Sequence, residues 1–334
     1  MTPVRRRAVK RPKTVAAIVS LACALTVGEV RAQVRPEIHP VRTVTLTTQQ
    51  VLLGDQNGKP AVIAGELRLP AKPGRLPAVV LVHGSGGMNT AVEQWARELN
   101  DIVVAAFLLD SFSGRGIVNT IEDQSQLDHA AMIVDAYRAL GMLAQHPRID
   151  SNRIAVMGFS KGGVAALYSS NERFRKAFAP PNVQFAAHIG LYTPCNTTYR
   201  DDGKVTGKPI RLFHGIADDW VPVGPCREYV QRLKSAGVDI ALAEFPGAHH
   251  TYDNASRKGE SEPLLFPRAT SSRNCKLIEG ESGVILNRKT GMPYDINKDP
   301  CIERGTHVAY NEPAATATFK AVREFLIATF RLTP

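Results

Sequence analysis

The sequence predicts an α/β domain with a mostly parallel central sheet, an antiparallel N-terminal edge and helices on both faces. Three observations carry this. Six short, continuous apolar runs, "PAVVLVHG", "DIVVAAFLLD", "RIAVMGFS", "VQFAAHIGLY", "PIRLFHG" and "DIALAEFPG", have the texture of strands buried on both faces. Helix-like segments near 91–99, 124–145, 161–170 and 225–236, with a last one near 313–331, alternate with these runs, which is the rhythm of a doubly wound sheet. Upstream of them, "VRTVTLTTQQVLL" and "AVIAGELRLP" alternate apolar with polar residues, as half-buried antiparallel strands do.

Taken in order, the chain begins with a basic "RRRAVKRPK", a short apolar "TVAAIVSLACALTV" and "GEVRAQ", which together read as a secretory signal over 1–32, cleaved after Ala32. The apolar run is too short for a comfortable membrane span. A lipoprotein reading through Cys23 fits less well, because Ser20 stands where a lipobox prefers Leu, and a twin-arginine route through Arg5 and Arg6 is not continued by the residues after them. The expected protein is therefore exported, periplasmic or secreted, with no stable membrane insertion after cleavage. The formal charge of +10 belongs mostly to this leader: residues 1–32 hold seven Lys/Arg and one Glu, so +4 remains without them. No basic run with interleaved aromatics remains, which excludes a nucleic-acid partner on this reading.

About 300 residues follow, enough for one large domain over 33–334. Four cysteines stay in it, Cys195, Cys226, Cys275 and Cys301. In an oxidising compartment an even count favours disulfides, and the pairing Cys195–Cys226 and Cys275–Cys301 keeps each bridge local. Zinc is disfavoured, since no two of them lie at a metal-knuckle spacing. One stretch breaks the strand–helix rhythm. From about 253 to 310 the chain is rich in Gly, Pro and charge, holds Cys275 and Cys301, and contains a hairpin-like "GVILNRKTGMPYDI". Structureless loops of that length are uncommon, so a disulfide-stapled insertion over one rim of the sheet is expected.

The chemistry centres on "RIAVMGFSKGGVAAL", where Ser160 sits between glycines at the junction of a buried strand and a helix. This is the setting of a nucleophile elbow. A serine needs a base to take its proton and an acid to orient that base. "RLFHGIADDWVPV" supplies Asp218 or Asp219 past one strand end, and "AEFPGAHHTYDN" supplies His249 or His250 past the next. The order Ser, Asp, His, each at a strand's carboxyl end, brings three loops to one rim. An oxyanion also needs donors. The amides of Lys161 and of Ser85 in "LVHGSGGMN" are the candidates, with Gly84 or Gly86 as substitutes for the latter. That loop lacks the Lys-Ser/Thr of a P-loop and the dinucleotide spacing, so nucleotide binding is excluded, and no metal or organic cofactor is expected. Arg115 in "DSFSGRG", past a strand end, is either a clamp for a substrate carboxylate or a surface arginine in a turn, Trp220 a pocket wall or rim anchor, and the Lys161 side chain is expected to be solvated.

Together, "VHGSGG", "GFSKGG", "HGIADDWVP" and "PGAHHTYD", with "DSFSGRG" and "DPCIERGTHVAYNEPAATATFKAVREFL", resemble the dienelactone hydrolase family of the α/β-hydrolases over most of the chain. The resemblance implies an α/β-hydrolase fold. It also selects Asp218 and His250 for the triad. The family's founding enzymes carry cysteine where this chain has Ser160, which shifts the expected activity from dienelactone itself to a serine esterase or lactonase acting on a small-molecule ester or lactone. Two other readings are a peptidase of the same fold and a catalytically idle scaffold that binds a ligand. The first usually carries a propeller or cap, for which this chain has no room, and the second makes no use of a complete triad.

Overall fold

The architecture follows from how each segment satisfies its backbone. The computed structural model describes residues 2–3 and 36–332, so the leader expected over 1–32 lies outside the described residues except for Thr2 and Pro3. In chain order the elements are β1 (Pro36–Thr45), α1 (Thr48–Leu53), β2 (Lys59–Arg68), β3 (Leu76–Val82), α2 (Thr90–Asp101), β4 (Ala105–Asp110), α3 (His129–Gln145), β5 (Ile149–Phe159), α4 (Lys161–Tyr168), α5 (Glu172–Phe178) and β6 (His188–Leu191). There follow β7 (Thr197–Thr198), β8 (Ile210–Gly215), α6 (Gly224–Ser235), β9 (Ile240–Phe245), β10 (Leu264–Ser271), β11 (Leu277–Glu279), β12 (Ile285–Asn287), β13 (Glu303–Val308) and α7 (Glu312–Phe330).

Eight strands form one sheet in the order β1-β2-β4-β3-β5-β6-β8-β9. The pairs β1–β2 and β2–β4 are antiparallel, and every pair from β4 to β9 is parallel. All seven residues of β3 are buried. Its side chains alternate between two cores, Ala78, Val80 and Val82 on one face and Val79 and Leu81 on the other. The α3 face carries the larger core, while Trp95 of α2 and Val322, Leu326 and Phe330 of α7 close the opposite one. Each such Val or Leu contributes about 1.5–3 kcal/mol on burial, so the central strands are the most strongly held part of the chain.

Two local readings are corrected. The alternating segment expected as one strand over 41–53 breaks after Thr45. Thr47 and Gln50 form a reciprocal capping box, Gly54 closes the turn in the left-handed region, and "TQQVLL" is helix α1. Between β5 and β6 a second short helix, α5, follows α4, its start capped by the Asn171 side chain.

The segment between β9 and α7 forms two small sheets. Strands β10 and β13 pair antiparallel, and β12-β11-β7 make a three-stranded sheet in which β11 runs parallel to β7. Cys195 is bonded to Cys226, with Cα atoms 4.9 Å apart, and Cys275 to Cys301, with Cα atoms 5.0 Å apart, as the local pairing expected. Val308 of β13 returns to the main sheet's rim in a parallel bridge to His250.

Candidate active site

Ser160 occupies the turn between β5 and α4 with φ 52° and ψ −116°, a left-handed φ that costs a non-glycine residue about 1–3 kcal/mol. Its neighbours hold it there. The Ser160 amide donates to Leu191 O of β6 (3.0 Å), and the Gly163 amide closes the first turn on Ser160 O (2.8 Å). A Cβ at Gly158 would collide with the Gly162 carbonyl, and one at Gly162 with the Val82 carbonyl. Strand and helix therefore approach closely enough to project the serine only because both positions are glycine.

From beyond the ends of β8 and β9 come Asp218 and His250. Ser160 Oγ lies 2.9 Å from His250 Nε2, and His250 Nδ1 lies 2.7 Å from Asp218 Oδ2. The second Asp218 oxygen accepts from the amides of Trp220 (3.0 Å) and Val221 (2.8 Å), so the carboxylate is fixed on both sides. Asp218 and His250 are buried. With Asp218 accepting at Nδ1, the proton sits on that nitrogen and Nε2 presents its lone pair to the serine.

The adjacent candidates have other partners. Asp219 turns outward to His307, accepting from its backbone amide (2.9 Å) and from Nδ1 (2.7 Å). Partial burial raises the Asp219 pKa, but these two hydrogen bonds outweigh it and hold the carboxyl below its usual value. His249 is half-buried, and its Nδ1 has no hydrogen-bond partner among the described residues.

Ser85 stands across the cleft from the elbow. Its carbonyl is taken by the Thr120 amide (2.8 Å), and a tight turn closes from Gly87 N to Gly84 O (3.1 Å). The fully buried His83 braces this loop. Its Nδ1 donates to Gly84 O (2.8 Å) while Nε2 accepts from the Ser111 amide (3.1 Å). Burial lowers the His83 pKa, which keeps the ring neutral in that donor–acceptor role. Sequence reasoning passed over His83, although its place in "VHGSGG" is a signal that could have found it.

The Lys161 side chain is buried rather than solvated. Its Nζ donates to Gln124 O (3.0 Å) and Gln124 Oε1 (3.2 Å), and burial lowers its pKa to about 7 against the opposing pull of Asp128 and Asp123. Arg115 is corrected outright. Its side chain is 5% exposed and grips buried Asp135 in bidentate fashion (2.7 and 2.9 Å), with further bonds to Thr45 Oγ1 (2.7 Å) and Ser111 O (2.7 Å). Its donors clamp β1 and α3 together, so it does not line the cleft or hold a substrate carboxylate.

The cleft has two arms that meet at Ser85, Ser160 and Trp220. The first runs past His250 between Val92, Phe159, Tyr192 and Phe266. The second runs past Lys161 between Gln124, His129, Tyr199 and Tyr294. Trp220 is a wall of both. Its ring centroid lies 5.0 Å from that of His250, and its Nε1 donates to Thr270 O (3.1 Å). Phe266 and Tyr294 come from the 253–310 segment, which thus supplies part of each arm.

Parallel sheet, strand–turn–helix serine and Asp–His pair define an α/β-hydrolase. The sequence profile of the Dienelactone hydrolase family matches residues 63–274, and the chain belongs to that family. It is a carboxylic ester hydrolase. A lactonase candidate of a Bradyrhizobium species, named for 2-oxo-3-(5-oxofuran-2-ylidene)propanoate, is 27% identical over 209 residues, covering 56% of this chain and 80% of that one. A carboxymethylenebutenolidase candidate of Methylorubrum extorquens is 21% identical over 229 residues, covering 62% and 77%. Among solved structures, a dienelactone hydrolase-like promiscuous phosphotriesterase from metagenomic libraries shares the fold, with a TM-score of 0.57 and 18% identity over 88% of this chain and 98% of that one.

Proposed function

We propose that the enzyme hydrolyses a small ester or lactone through an acyl-enzyme on Ser160. The continuous hydrogen-bonded line Asp218–His250–Ser160 carries this reading. Ser160 Oγ attacks the carbonyl carbon as its proton passes to His250 Nε2, and the carbonyl oxygen becomes an oxyanion facing the amides of Ser85 and Lys161. The imidazolium, oriented by Asp218, returns the proton to the leaving oxygen as the C–O bond breaks, and the alcohol departs or, from a lactone, stays tethered to the acyl group. A water molecule then repeats the sequence on the acyl-enzyme, releasing the acid and restoring Ser160.

Because the histidine protonates the leaving oxygen, the alcohol part belongs in the His250 arm, among Phe159, Tyr192, Trp220 and Phe266, and the acyl part in the Lys161 arm. The first favours an apolar alcohol. The second favours an acyl group with a hydrogen-bond acceptor or an anion, since an ammonium has three donors and Gln124 occupies two. The Bradyrhizobium relative is named for a propanoate lactone.

The domain runs over 33–334 with an insertion near 253–310 that restricts the cleft, and 1–32 is an export leader. Two disulfides suit an oxidising compartment, and among the described residues no helix is long and apolar enough to cross a membrane. The test is a panel of p-nitrophenyl esters and lactones offered to the mature protein and to Ser160→Ala. Turnover by the first alone supports the reading, and equal turnover by both would overturn it.

A further inference from the structure

Behind the catalytic base lies a second carboxylate that the acyl-transfer steps leave unused. Asp253 is fully buried. Its Oδ2 accepts from Trp95 Nε1 (2.7 Å) and its Oδ1 from Tyr192 OH (2.9 Å). An indole N–H only donates, and burial raises the Tyr192 pKa so that its hydroxyl keeps its proton. Both oxygens therefore accept, which favours the ionised form, while burial pushes the Asp253 pKa up against those two donors. Its partners are neutral, and the basic group on the far side of Tyr192 is His250. Tyr192 lies between them, its ring packed edge-on against the imidazole with centroids 4.8 Å apart and an interplanar angle of 62°. Tyr192 itself has a positive φ of 40°, a strained backbone held by the bond from its amide to Phe213 O (2.8 Å).

We propose that Asp253 is a positioning residue for the reaction: through Tyr192 it fixes one face of the His250 ring and lends a second negative charge to the imidazolium that forms when Ser160 gives up its proton. This rests on the reading of His250 as the base. The other groups facing His250 are Asp218 at Nδ1, Ser160 at Nε2, Trp220 on the ring, and His214 nearby. Asp218 alone among them shares the sign of Asp253. An isolated buried carboxylate with only neutral partners costs stability, which a purely structural role would not require.

The test is the pH dependence of kcat/KM for Asp253→Asn beside wild type. Removing the charge disfavours the imidazolium, so the acid limb moves to lower pH, by about half a unit or more, while the plateau falls about tenfold to a hundredfold. A merely structural lesion lowers the plateau without moving the limb, and that result, or an unchanged profile, overturns the proposal. Should Asp253→Asn not fold, Tyr192→Phe keeps the ring and removes the hydroxyl that links it to the carboxylate. A lower plateau with the acid limb at lower pH is again expected, and a profile superimposable on wild type overturns the proposal. Total inactivity of Ser160→Ala with these results unchanged separates this question from the acyl-enzyme reading, which fails only if Ser160→Ala stays active.

Discussion

The loop carrying Ser160 and the loop carrying Asp218 both leave the same sheet, and they are held in different ways. The elbow is fixed by backbone: glycines at 158 and 162 that admit no side chain, a strained φ at Ser160, and an amide bonded to the next strand. The acid loop is fixed by a clasp of side chains reaching in from the 253–310 segment. Ser271 Oγ donates to Trp220 O (2.7 Å), Arg273 Nη1 to Asp219 O (2.7 Å), and the His307 amide and ring to the Asp219 carboxylate, while Trp220 Nε1 donates back to Thr270 O. The Cys275–Cys301 bridge closes that segment. Ser160 thus depends on the sheet and α4, and the Asp218 loop on a stapled insertion, so the two are separable by experiment.

The widest separation is chemical. Ser160→Ala leaves the sheet contacts intact and removes the nucleophile, so kcat is expected to fall at least about 10⁴-fold with the melting temperature within a few degrees of wild type. Asp218→Asn keeps the shape but unsettles the His250 tautomer, with an expected loss in kcat of about 10²–10⁴-fold and little change in KM. A drop below tenfold for either variant would count against the triad.

Breaking the fold away from both loops comes next. Arg115→Ala strands Asp135 as an unpaired buried charge, at a cost of about 3–5 kcal/mol in stability. Chemical denaturation reads that loss, and any protein that remains folded should keep wild-type KM, because Arg115 does not face the cleft. A KM change with full stability would return it to the site.

The disulfide sharpens the comparison directly. Converting Cys275 and Cys301 together to Ala opens a link between residues 26 apart and is expected to cost about 2–4 kcal/mol. Activity should fall with the loosened acid loop, whereas hydrogen-exchange protection of the Ser160 and Gly163 amides, which bond to Leu191 O and Ser160 O, should change less. Equal losses in both would mean that the elbow also leans on the insertion.

The smallest effect concerns pH. Because the hydrogen bonds from His307 lower the Asp219 pKa in the fold, the ionised carboxylate stabilises the clasp above the ordinary carboxylate range, and that contribution is lost as pH falls through the lowered value. Asp219→Asn should flatten the acid side of a melting-temperature profile below about pH 4 and change kcat only several-fold.

The fold and the site were not equally legible from the sequence. Continuous apolar runs mark parallel strands whatever packs on them, so the sheet, its edge and the Ser-Asp-His order could be read directly. In "TLTTQQVLL" alternation coincided with a capping box, and the local hydrogen bonds of Thr47 and Gln50 decided for helix. Arg115 and Lys161 were misplaced for a related reason: a long cation's direction depends on which carboxylate or cavity the assembled fold puts beside it, and neither Asp135 nor Gln124 is near in the pattern. Asp253 ends the "PGAHHTYD" motif and Tyr192 the run "VQFAAHIGLY", but their meeting behind His250 needs the ends of β6 and β9 brought together.

The central claim is that Ser160, activated by His250 and Asp218, is the nucleophile. It is tested most directly by treating the mature protein with a fluorophosphonate and mapping the adduct by peptide mass. A single adduct on the peptide containing Ser160, formed far more slowly in Asp218→Asn and absent in Ser160→Ala, is the predicted result. An adduct on another residue, or p-nitrophenyl acetate turnover by Ser160→Ala at the wild-type rate, would contradict it.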